Sequence, residues 1–253
     1  MDLAAPASPR RGGRGGEGHR IEGPADAPQA GQTILFDLAH LATSDLQYNL
    51  SIWSSLKGTL AGRGYTLNHH ATGALTGAAL QGQDVLVIQD PQVSFSAAEK
   101  TAVVDFANAG GGLLIAGEWG PAWPNGVVIE LLNLFGASYD NVEVWDQTHF
   151  IVVPEWVVYE AQRNFLPHAA LGQVAKIVLP AGSTMSGTPD WSTVVETDED
   201  ALPARRPIAM ARGFGGGRVF ALGDTSVWYD HHIDKYDNRA FGVNVMEWLL
   251  FRL

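Results

Sequence analysis

The chain has 253 residues, 46% of them hydrophobic and 17% charged, which is enough for one sizeable core and short for two. Its formal net charge of −11 repels phosphate backbones and argues against nucleic acid as a partner, and the lack of cysteine excludes disulfides, thiolate zinc sites and a cysteine nucleophile. No apolar run approaches the roughly 18 residues of a membrane span, so the expected location is cytoplasmic as the sequence stands, with export open if the natural N-terminus lies upstream.

Residues 1–31 are rich in Gly, Ala, Pro and Arg, and Arg10, Arg11, Arg14 and Arg20 balance Asp2, Glu17, Glu22 and Asp26. With few large apolar side chains to offset chain entropy, this tail is expected to be disordered. A single globular domain is expected over residues 32–253.

Thr33 to Phe36 reads as a short buried strand ending in Asp37. Thr43 or Ser44 can cap a helix whose apolar positions Leu46, Leu50, Trp53, Leu56 and Leu60 are spaced three to four apart, with Gly62 and Gly64 ending it. A strand over Tyr65 to Leu67 and a helical or turn segment over Leu75 to Leu80 follow. Asp84 to Ile88 is apolar enough for a strand buried on both faces.

Ser96-Ala97-Ala98-Glu99 is a capping box opening a helix through Val103 and Phe106, closed by Gly110-Gly111-Gly112. Leu113 to Ala116 is a further buried strand, and a helix is expected over Val128 to Phe135. Residues 139–206, rich in Trp and Pro with β-like runs such as Ala175 to Leu179, are expected to form short strands that extend the sheet antiparallel at an edge. Pro207 to Ala211 and Arg218 to Leu222 flank a Gly-rich hairpin turn. Those glycines precede a strand, whereas a phosphate-cradling loop opens a helix. The closing helix runs from Arg239 to Leu250.

Strands separated by helices require crossovers, which predicts an α/β fold with a doubly wound, mostly parallel sheet. Ligands of such sheets bind outside the carboxyl ends of the strands. Four predicted strands end in or near an acid: Asp37, Asp90 after Gln89, Glu118 after Gly117, and Asp224 after Gly223. On one rim they would form an acidic crevice suited to a cation, an amine or a polyhydroxylated ligand. Each acid could instead cap a helix or fix a turn, and for Asp90 before Pro91 that reading is preferred.

His231, His232 and Asp234 could ligate a divalent metal. Adjacent histidines point apart and no H-E-x-x-H spacing exists, so solvated loop residues are the preferred reading. A Ser-His-Asp hydrolase would need a G-x-S-x-G elbow, which is absent. No cofactor is expected.

Ile34 to His40, Asp84 to Ile88, Phe95-Ser96 through Gly117, Gly217 to Asp224, Asp237-Asn238 and the Asn244 to Leu249 helix together resemble the class I glutamine amidotransferase-like superfamily, with its flavodoxin-like sheet. More narrowly, they resemble an uncharacterised branch shared with gliding-motility and intraflagellar-transport proteins. In catalytic members the turn after the strand equivalent to Leu113–Ala116 carries a nucleophilic cysteine; here it reads Gly117-Glu118-Trp119-Gly120. A carboxylate cannot form the thioester of amide transfer, so the resemblance implies a non-catalytic binding version of the fold.

The leading expectation is a domain that binds a small molecule, a carbohydrate among the candidates, or a protein partner. Asp37, His40, Glu118, Trp119, Asp224 and Asn238 are the expected lining, and Trp119 and Trp123 are placed to stack on a sugar face. Two alternatives stay open: a hydrolase using Glu118 and Asp224 in place of the cysteine, and a protein-assembly scaffold.

Overall fold

The computed structural model of the chain describes residues 31–42, 46–121 and 123–253. The tail expected over 1–31 therefore lies, but for Gly31, outside the described residues. Strand β1 (Thr33–Asp37) is followed by two short helices, α1 (Leu46–Ser51) and α2 (Ser54–Gly62), where one helix was expected. Trp53 separates them in a left-handed conformation, φ 58°, and its buried indole donates to the Thr225 carbonyl at 2.9 Å. Then come β2 (Thr66–His70), α3 (Gly77–Leu80), β3 (Val85–Gln89), α4 (Ala97–Asn108), β4 (Gly112–Ala116) and α5 (Gly126–Asn133). The capping box forms as expected: Ser96 accepts from the Glu99 N–H, and Glu99 accepts from the Ser96 N–H.

Residues 137–196 hold β5 (Ala137–Tyr139), β6 (Phe150–Ile151), β7 (Val153–Glu160), β8 (Lys176–Pro180), β9 (Met185–Gly187) and β10 (Ser192–Glu196). A hairpin, β11 (Pro207–Phe214) and β12 (Gly217–Leu222), and helix α6 (Asn238–Leu249) complete the chain.

The main sheet has seven strands in the order β10-β11-β12-β4-β3-β1-β2. β12, β4, β3, β1 and β2 are parallel, and β11 and β10 add antiparallel strands at one edge. The expectation for residues 139–206 needs correction in one respect. Only β10 joins the main sheet; β6-β7-β8 and β5-β9 form separate antiparallel sheets.

Because side chains alternate along a strand, the sheet sorts its apolar residues into two cores. Ile34, Phe36, Val87, Leu114, Phe220 and Leu222 pack under α2, α6 and the β7–β8 pair. Leu35, Leu86, Ile88, Leu113, Ile115 and Val219 face α4 and α5. Both faces are thus covered by helices, as continuous apolar strands require. At the hairpin, a Cβ on Gly217 would sit 2.2 Å from the Gly111 carbonyl oxygen, so glycine there lets two backbones touch. No described helix is long and apolar enough to cross a membrane.

Candidate functional site

Strands β3, β4 and β12 are neighbours, and their carboxyl ends open on a cavity of about 360 Å³ walled on one side by Asn49 and Ile52. Its chemistry comes from Gln89, Asp90, Glu118, Thr225 and Tyr229, with Trp119 and Trp123 at the same cavity. The turn after β4 is held rigidly. Asn125 accepts from the Glu118 N–H at 2.9 Å and donates to its carbonyl at 2.7 Å, and the Tyr139 hydroxyl accepts from the Gly117 N–H at 2.8 Å. Asp90 begins the next loop with φ 40°, its N–H donating to the Ala116 carbonyl at 2.8 Å.

Glu118 is only 7% exposed, and its Oε1 accepts from the Thr225 hydroxyl and, at 3.2 Å, from the Tyr229 hydroxyl. Burial pushes its carboxyl above the usual range, against those hydrogen bonds. Asp90 accepts from the Trp123 indole at 2.9 Å and from Gln92; burial and then the charge of Glu118 push it up to about 7. Asp224 is fully buried, with Oδ1 taken by Ser226 and, among the described residues, no partner for Oδ2; burial, then Glu118, raises its carboxyl strongly. Among the described residues, none of these three acids forms an ion pair.

The expected lining therefore divides. Glu118 and Trp119 line the cavity and Asp224 lies beside Glu118. Asp37 and His40 do not line it. His40 Nδ1 lies 2.7 Å from Asp37 and Nε2 3.3 Å from Glu99, with the ring stacked on Phe95, so this pair ties the loop after β1 to the start of α4. Asn238 does not line it either. It is fully buried, donates to the carbonyls of Val178, Val227 and His232, and accepts from the Val178 N–H, which locks α6 to β8.

The rings of His231 and His232 lie 4.0 Å apart, contrary to the expectation that adjacent histidines point apart, but His232 bonds the Ser226 carbonyl and Asp234 pairs with Arg239, so with Asp234 they form no group of metal-like spacing. The described group with metal-like spacing was missed from sequence. Asp146, His149, Asp198 and Asp200 bring one ligand atom each within 4.8 Å of one another. Arg163 lies 3.4 Å from Asp198, and Asp146 Oδ1 already accepts from the Thr148 and His149 N–H groups, so a cation would compete with a set of internal partners. Gln89, Thr225 and Tyr229 were also unassigned. Only Gln89 carried a signal, as the one amide ending an otherwise apolar strand.

Beside the acidic group is an apolar corner. Trp145 and Leu202 pair through both backbone hydrogen bonds, and the Asp146 N–H donates to the Pro154 carbonyl, joining them to the β6–β7 hairpin. Leu202 is 70% and Val152 76% exposed, with Trp145, Phe150 and Val153 also exposed. Val152 holds φ 64° at the hairpin tip, a conformation β-branched residues rarely adopt.

Residues 53–246, most of the chain, match the family described as Domain of unknown function (DUF4350). The chain is 23% identical over 197 residues to the mouse (Mus musculus) protein called intraflagellar transport protein 52 homolog, over 69% of this chain and 46% of that protein. It thus spans about half the length of the curated relative it matches. The solved mmIFT52 N-terminal domain superposes with a TM-score of 0.73 at 22% identity, over 86% of this chain and 97% of that one. A cytoplasmic protein of Salmonella typhimurium LT2 gives 0.59 at 13% identity, over 86% and 99%. At these identities the structural matches establish a shared fold.

Proposed function

The chain belongs to the family described as Domain of unknown function (DUF4350), and from that premise we propose that it is a non-catalytic binding domain that docks a protein partner through the apolar corner on the β6–β7 hairpin. The observation that carries this is the exposure of Val152 and Leu202 beside Trp145, Phe150 and Val153, with the half-buried His149 and the exposed Asp200 at the rim and Asp146 and Asp198 buried beneath them. An apolar centre with a charged rim is the anatomy of a protein interface, and a bulky side chain held at a strained hairpin tip is preorganised for insertion. The likeness to a protein named for intraflagellar transport supports a role in assembly with other proteins.

The same reading takes residues 32–253 as one domain and keeps the amidotransferase-like, flavodoxin-like affiliation. The parallel order β2-β1-β3-β4-β12 and the Gly117-Glu118 turn at the end of β4 support it. The hydrolase alternative gains little support, because Glu118 Oε1 is engaged by two hydroxyls and Asp224 is sealed from solvent.

Site-specific photo-crosslinking from position 152 in cells is the test, with position 130 on α5 as control. One discrete protein crosslinked from 152 and lost on Leu202→Asp is the expected result. The same products from both positions would refute the docking face.

A further inference from the structure

We propose that the cavity at the carboxyl ends of β3, β4 and β12 binds an organic cation, an alkylammonium or guanidinium group, with its charged head between Asp90 and Glu118 and its apolar stem against Trp119, Trp123 and Ile52. This site is distinct from the apolar corner and holds whether or not that corner docks a protein.

Two observations point to a ligand. Gln89 is 2% exposed, lines the cavity, and among the described residues has no partner for either its amide nitrogen or its amide oxygen. Each such buried orphan costs on the order of 1–3 kcal/mol unless something fills it. Among the described residues, Asp90 and Glu118 line the same space with no cationic side chain paired to them, and Asp224 beside Glu118 leaves Oδ2 unbonded.

The chemical class follows by elimination. An anion would meet two acids. A bare metal ion needs tightly gathered ligand atoms, and Asp90, Glu118 and Asp224 are not brought as close as the four at Asp146, where all lie within 4.8 Å. A neutral polyol would satisfy Gln89 and leave the acids uncompensated in a poorly solvated place. An ammonium or guanidinium donates to Gln89 Oε1 and to both carboxylates, the rings of Trp119, Trp123 and Tyr229 line the same space, and the Gln89 amide N–H groups, which a cation cannot satisfy, are left to water that enters with the ligand. The raised carboxyls of Asp90 and Glu118 fit this, since a bound cation is what would hold them ionised. A cavity of about 360 Å³ lies near the lower end of ligand pockets, sized for one amine-bearing group.

That group has two sources with one chemistry: a free amine, or a lysine or arginine side chain of a partner. Calorimetric titration of the full chain with n-butylammonium and agmatine, and with a blocked lysine peptide, separates them. Saturable binding of any of these, with at least tenfold weaker binding of n-butanol and of the norleucine peptide, is expected. Tighter binding of the peptide than of the free amines assigns the partner source, and the reverse assigns the free amine. Glu118→Gln, with its unfolding midpoint checked, is expected to weaken the amine at least tenfold. Equal affinity for the uncharged isosteres, no saturable binding at millimolar amine, or unchanged affinity in a folded Glu118→Gln protein would overturn the proposal.

Discussion

Asp90→Asn should stabilise the protein at alkaline pH and do little in acid. Burial and the charge of Glu118 raise the folded carboxyl from 3.8 to about 7. An acid raised on folding gives up its proton first in the unfolded chain, so between pH 4 and 7 folding takes up protons and stability falls as pH rises, levelling off above 7. A shift of about three units corresponds to about 4 kcal/mol at 1.36 kcal/mol per unit. Asp90 is partly exposed, and solvent screening brings the expected gain to about 2 kcal/mol.

Asparagine keeps the acceptor oxygen that Trp123 and Gln92 use, and it tolerates the left-handed backbone at this position. Urea denaturation of wild type and variant from pH 4.5 to 8.5, with m-values compared, measures the difference. A gain that is independent of pH would refute the charge argument, and a loss at pH 8.5 would show the carboxylate to be compensated by a cationic partner.

Other outcomes follow from the same geometry. Asn238→Ala strands three carbonyls and one N–H in the core and should cost at least about 3 kcal/mol in denaturant, whereas a loss below about 1 kcal/mol would mean water replaces the amide. Gly217→Ala drives a Cβ into two backbone carbonyls and should destabilise by several kcal/mol, while Gly213→Ala, with open space around it, should change stability by less than about 1 kcal/mol. For His40, burial lowers the imidazole pKa, but the hydrogen bond and charge of Asp37, then Glu99, outweigh it and the net shift is upward. Its contribution is therefore present below the ordinary histidine value and fades as pH rises through the raised one, so His40→Gln should cost more at pH 5.5 than at pH 8.5 by thermal melts. Val152→Asn relieves a left-handed β-branched residue and should leave stability equal or raise it by about 1 kcal/mol, measured by the same melts.

What the sequence determined by itself is what local chemistry controls. The Ser96–Glu99 box, the apolar runs of β1, β3, β4 and β12 and the glycine hairpin at 213–217 each depend on neighbours within a few residues, and together they imply a parallel sheet covered on both faces. The ends of those strands pointed to Glu118 and Trp119, and both line the cavity there. Tertiary structure decided which strand-end acids share a space. Asp37 turns to His40 and Glu99, and Asn238 spends its amide on the carbonyls between α6 and β8, because burial forces every polar group onto whatever partner the fold brings near. Tyr229 reaches Glu118 across 111 residues of chain, and Asp146 meets Asp198 across 52. No periodicity encodes contacts of that range: they exist only once the sheet order has been set.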